Sequence, residues 1–158
     1  MPVPRAYVDT SVFGGTQDDQ FSDTSRRFFR DATNGRFVVL ISPETLRELQ
    51  DAPAEVRRAL AEFPPESVEI VQVTPEVEAL ANAYIAAGVL GQGHRADAIH
   101  VAAASVARAD LIVSWNFRHI VNLNRIRMYN GVNAIHGYSP VEIRSPLDLS
   151  CEDEDKGI

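Results

Sequence analysis

Two kinds of hydrophobic pattern alternate along the chain. Arg5–Val8, Phe37–Ile41 and Leu111–Ser114 are short, apolar and rich in β-branched or aromatic residues. Runs of that length and uniformity predict strands buried on both faces, as in the centre of a parallel sheet. Val68–Val73 alternates only in part, which predicts an edge strand with one wetter face. Val141–Ile143 is short and predicts a fifth strand.

Between these runs, apolar residues recur at helical spacing. Ser22 or Asp23 can cap a helix with Phe28 and Phe29 inside, and Gly35 can stop it in the left-handed region. Ser42-Pro43 and Thr74-Pro75 each place a capping hydroxyl before a proline at the first helical position. Asp51–Pro53 breaks the first of these helices and starts another, which Pro64-Pro65 ends. The second carries Val77, Leu80, Ala81, Tyr84 and Ile85 inward and closes at Gly88. Arg95–Arg108 is an alanine-rich helix whose small side chains let it lie close on a sheet. Asn122–His136 predicts a last helix, with Leu123, Ile126, Tyr129, Val132 and Ile135 inward and Gly137 as its stop. Val12–Gly15 and the polar residues to Gln20 read as a loop over the end of the first strand. Strands alternating with helices in this way predict a three-layer α/β domain, with helices on both faces of a mainly parallel sheet of five strands.

Composition narrows the setting. With 158 residues, 45% hydrophobic and 23% charged, the chain fits one globular domain. We place that domain at residues 1–146 and expect the acidic tail, 147–158, to be disordered. No apolar run approaches the ~20 residues of a membrane helix, and the basic-then-apolar start of a secretory signal is missing. The expected location is cytoplasmic, with no membrane partner. A single cysteine, Cys151, excludes an internal disulfide framework and a thiolate zinc site.

The net charge of −7 argues at first against a nucleic-acid partner. Its distribution does not: residues 115–144 carry Arg118, Arg125, Arg127 and Arg144 against Glu142 alone. Fourteen of the fifteen basic residues are arginine, whose planar fork suits phosphate, or the carboxylates of an acidic partner chain.

The candidate chemistry is a set of carboxylates. In a parallel sheet, the carboxyl ends of strands and the amino ends of the helices that follow share one edge, where ligands bind. Asp9 follows the first strand, Asn116 follows the fourth, Asp97 lies in the first turn of its helix, and Glu48 lies in the helix after the second strand. Asp9 could instead serve only to cap its turn. Buried carboxylates with no lysine opposite repel one another, and a divalent cation relieves this. Oxygen ligands favour Mg²⁺ or Mn²⁺. His94, His100 and His119 fall near the same edge, and His100 reads as a hydrogen-bonded supporting group rather than a ligand. No His-Glu-x-x-His, Cys-x-x-Cys or glycine-rich phosphate loop occurs, which excludes the zinc peptidase and nucleoside-triphosphate readings.

Four motifs carry a resemblance: Asp9-Thr10-Ser11 after a strand, Glu48-Leu49 in a helix, Asp97–Ala103 at a helix start, and Ser114–His119 after a strand. Over roughly residues 5–146 the sequence resembles the PIN-domain proteins of the VapC-like toxin group. That resemblance implies a Rossmann-like fold and Mg²⁺- or Mn²⁺-dependent ribonuclease activity. It also implies a cognate antitoxin and a homodimer. Asp9, Glu48 and Asp97 would be the metal-binding acids, and Asn116 stands in the catalytic set where the family often has a fourth acid. Arg118 and His119 are placed to contact substrate RNA. The departure at Asn116 opens an alternative, a catalytically weakened scaffold that binds RNA or protein. A phosphatase of the haloacid-dehalogenase type is a further rival, but it wants an aspartate where Ser11 stands.

Overall fold

The computed structural model describes residues 2–149. Strands β1 (Arg5–Val8), β2 (Val38–Ile41), β3 (Val68–Ile70), β4 (Leu111–Val113) and β5 (Glu142–Arg144) form one sheet in the order β3-β2-β1-β4-β5. Every neighbouring pair is parallel, with Tyr7 opposite Leu40 on one side and Ile112 on the other. The alternating strand β3 is indeed an edge, with Glu69 and Ile70 exposed. The chain order reverses between β1 and β4, so the carboxyl ends of these two strands flank the crevice where such sheets bind ligands.

The pleat sorts side chains into two cores. Tyr7, Leu40 and Ile112 face helices α5 (Pro75–Ala86), α6 (Arg95–Val106) and α7 (Leu123–Ile135). Ala6, Val8, Val39, Ile41 and Val113 face the other side, where α1 (Thr10–Gly15), α2 (Ser22–Thr33), α3 (Pro43–Gln50) and α4 (Ala54–Ala61) supply Phe13, Phe28, Phe29, Leu49 and Val56. This is the three-layer arrangement expected. Helix α6 is buried through Ala98–Ser105, which its run of small residues makes possible.

Three local features differ from the sequence expectation. Residues 10–15 are a helix rather than part of a loop, because the Asp9 side chain caps it. Gly14-Gly15 resembles a loop signal, yet a Cβ at Gly15 would lie 2.5 Å from Ser25 Oγ and 2.7 Å from Trp115 Nε1. That glycine serves close packing under the Trp115–Ser25 hydrogen bond. On α7, Tyr129 and Val132 are buried, but Leu123 is 65% and Ile135 82% exposed. The turn Pro146–Leu149 continues the described chain and touches α2, while 150–158, including Cys151, lie outside the described residues.

Candidate active site

Asp9 stands at the carboxyl end of β1, its backbone N–H bonded to Val113 O of β4 at 2.9 Å. Its side chain is almost wholly buried. Oδ2 accepts from Ser11 Oγ (2.6 Å) and Ser114 Oγ (2.9 Å) and more weakly from the Ser11 N–H (3.4 Å). Asp9 therefore caps its turn while standing at the crevice. Its other oxygen, Oδ1, lies 3.7 Å from His100 Nε2.

Glu48 reaches the same crevice from α3, where Oε1 accepts from Thr10 Oγ1 (2.8 Å) and His100 Nε2 (2.5 Å). Glu44, one turn earlier, pairs instead with Arg47, which removes the like-charge conflict along this helix. His100 is fully buried on α6, with Nδ1 2.6 Å from the Tyr7 hydroxyl, which lies 2.8 Å from Ser42 Oγ. Burial works against a charged ring, but the negative ends of Tyr7, Asp9 and Glu48 outweigh it and hold the His100 pKa well above its ordinary value. Burial pushes Glu48 up, yet the His100 hydrogen bond and charge, together with Thr10, leave it below the ordinary carboxylate value.

Asp97 lies one turn before His100 on the same face of α6. Burial, then the charge of Asp9 and, more weakly, Glu48, push its pKa up to about 6, against the pull of His100 and His94. The three acids thus share one electrostatic environment without forming a tight knot. Among the described residues, only His94, Asp97 and His119 are gathered so closely that one ligand atom from each lies within 4.8 Å of the others. Asn116 follows β4, where its Oδ1 accepts from the His119 N–H (2.9 Å) and its own N–H donates to Ser114 Oγ (2.9 Å). Arg118 is exposed beside it.

Residues that sequence reasoning left without a role hold this arrangement together. Tyr7 sits inside an apolar strand, and the signal available was its polar tip, since a buried hydroxyl takes a partner. Ser42 was legible only as a helix cap, and Ser114 only as the last residue of the fourth apolar run.

Donor chemistry fits a divalent cation. Asp9, Glu48 and Asp97 offer oxygen ligands without sulfur, the donor set of a hard divalent cation.

Neither a family model nor a curated protein matches the sequence. Solved structures do match the fold. VapBC2 from Rickettsia felis, bound to a promoter DNA fragment, aligns with a TM-score of 0.58 at 13% identity over 89% of this chain and 98% of that one. The sarcin-ricin loop cleaving toxin VapC20 from Mycobacterium tuberculosis gives 0.57 at 17% identity, over 87% and 98%. DNA-bound VapBC from Salmonella typhimurium gives 0.54 at 18%, over 90% and 98%. The chain has the fold of a VapC-like PIN domain along nearly its whole length.

Proposed function

We propose that this protein is a ribonuclease that hydrolyses RNA phosphodiester bonds with Mg²⁺ or Mn²⁺ and acts as the toxin of a toxin–antitoxin pair. The observation that carries the reading is the convergence of Asp9, Glu48 and Asp97 at the sheet's switch point, where burial first, and then the charge of Asp9 and Glu48, holds the Asp97 pKa up at about 6. A divalent cation supplies Lewis-acid stabilisation of charge developing on the phosphoryl oxygens. Asp9, Glu48 and Asp97 would hold it. Ser11 and Ser114 fix the orientation of Asp9, while Thr10 and His100 fix Glu48, so neither carboxylate has to reorganise when substrate arrives. In this reading Arg118 and His119 bind phosphate, and Phe117, exposed between them and Asn116, offers a face for base stacking.

The VapBC assemblies among the similar structures support an antitoxin partner for this chain. A homodimer is in keeping with Met128 and Ile135, exposed two turns apart on α7.

The test is cleavage of a labelled structured RNA by untagged protein, with Mn²⁺ binding followed by calorimetry. EDTA should stop cleavage, and Asp9→Asn should lower the rate by about a hundredfold or more while weakening Mn²⁺ binding. Cleavage that survives EDTA, or unchanged Mn²⁺ binding by Asp9→Asn and Asp97→Asn, overturns the assignment. One observation favours the scaffold alternative: the Asn116 oxygen is already engaged by His119 N–H. That reading expects RNA binding without cleavage by the wild type.

A further inference from the structure

We propose that His94, Asp97 and His119 form a second cation site, rich in imidazole, for a borderline transition metal such as Zn²⁺ or Co²⁺ at the rim of the cleft. It is distinct in chemistry from the oxygen set of Asp9 and Glu48 and shares only Asp97 with it.

The three side chains come from two separate segments. His94 ends the 3-10 turn Gln92–His94 and stands at the N-cap of α6, Asp97 lies in the first turn of that helix, and His119 lies in the turn after β4. Their ligand atoms already lie within 4.8 Å of one another. Tetrahedral coordination with bonds of ~2.0 Å needs donors about 3.3 Å apart. Rotation of the exposed His94 side chain out of its stack on His119 closes that difference.

His119 is the prepared ligand. Asn116 Oδ1 accepts from its N–H (2.9 Å), and its carbonyl accepts from the Tyr129 hydroxyl (2.9 Å). The backbone is thereby held on both sides, as supporting bonds hold metal ligands elsewhere. Its ring stacks on His94 with centroids 3.8 Å apart and planes inclined by 30°. His119 Nδ1 is buried and has no hydrogen-bond partner. Two imidazoles and one carboxylate match Zn²⁺ or Co²⁺ rather than Mg²⁺, and three protein ligands leave a fourth position open. Because Asp97 belongs to both sets, a metal held here draws it from the oxygen site and competes with Mn²⁺.

Co²⁺ is the probe, since tetrahedral Co²⁺ absorbs strongly in the visible. Untagged full-length protein should develop that absorption on titration. His94→Ala and His119→Ala should each weaken Co²⁺ binding by about tenfold or more, with Mn²⁺ binding unchanged. Neither substitution removes the backbone bonds that hold residue 119, and exposed His94 contributes nothing to the core, so at least one variant reports on a folded chain. Asp9→Asn should keep the Co²⁺ band, which separates this site from the carboxylate reading: loss of Mn²⁺ binding in Asp9→Asn tests that reading alone. A band unchanged in both histidine variants, a band lost in Asp9→Asn but kept in them, or no Co²⁺ band in the wild type overturns the proposal.

Discussion

Helix α6 buries two polar side chains, His100 and Ser105, and the networks they join differ in charge. Ser105 Oγ donates to Val101 O (2.9 Å) and accepts from Asn133 Nδ2 (3.0 Å), while the Tyr84 hydroxyl donates to Asn133 Oδ1 (2.5 Å). This set is neutral and closed, and burial raises the Tyr84 pKa so that the hydroxyl stays protonated. His100 instead joins Tyr7 to Glu48 and approaches Asp9, with Asp97 next to the set. That network carries excess negative charge and opens on the crevice. A closed neutral network selects one packing of α5, α6 and α7, whereas a charged open one has an unmet demand for a cation. Burial alone would not tell them apart.

The largest expected effect breaks the neutral network. Asn133→Ala removes the acceptor of Tyr84 and a donor to Ser105, leaving the buried Tyr84 hydroxyl only its longer approach to Ser105 Oγ (3.3 Å). We expect a loss of about 2–4 kcal/mol in urea unfolding, with Mn²⁺ affinity unchanged. A loss below about 1 kcal/mol, or a change in Mn²⁺ binding, would remove the distinction between the two regions.

The second effect has the opposite sign. The Asp97 pKa is raised from 3.8 to about 6 in the folded chain. Its contribution to stability is therefore fully present below about pH 4 and is lost as pH rises through about 6. Above that window the charged carboxylate destabilises the metal-free fold. Asp97→Asn should make the metal-free protein more stable at pH 7–8 by about 1–2 kcal/mol, a figure reduced because the group is partly exposed to solvent screening. Added Mn²⁺ should stabilise wild type and not the variant. Thermal unfolding across pH 4–8 checks both, and a variant less stable than wild type above pH 6 contradicts the account.

The two regions were also unequally legible in the sequence. Apolar runs located β1, β2 and β4, because strands covered on both faces tolerate little polarity: β2 and β4 were shifted by one residue at most, whereas the alternating run 68–73 overran the edge strand β3 by three residues. Prolines after Ser42 and Thr74 marked the starts of α3 and α5 for the same local reason. Leu123 and Ile135 on α7 were expected inside, but helical spacing cannot say how wide the covered stripe is, and the sheet ends at β5. Asp9, Glu48 and Asp97 stood out as acids at strand and helix ends. Their hydrogen-bond partners did not, since Tyr7, Ser11 and Ser114 look like ordinary members of their segments until β1 and β4 are paired. The closeness of His94 to His119 depends on the turn after β4, which no local pattern specifies.

The smallest expected effect concerns Asn116, the position where the resemblance leads one to expect an acid. Its amide oxygen accepts the His119 N–H, a bond that a carboxylate makes equally well, so Asn116→Asp should change stability by no more than about 0.5 kcal/mol. A carboxylate there adds to the charge that the open network already carries. If that charge is used to hold cation, Mg²⁺ affinity should rise about threefold to tenfold, the scale of one more charge in a partly exposed site, and cleavage should rise at low Mg²⁺. If the amide instead donates from its Nδ2 to substrate phosphate, the added charge repels the phosphate and rates fall. Arg118 and His119 already supply donors on that side, which favours the first outcome. The measurement is the Mg²⁺ dependence of RNA cleavage for wild type and variant. A lower rate for Asn116→Asp at every Mg²⁺ concentration would show that the network at the end of β1 lacks a hydrogen-bond donor rather than charge, and would move it closer in kind to the neutral network of Ser105.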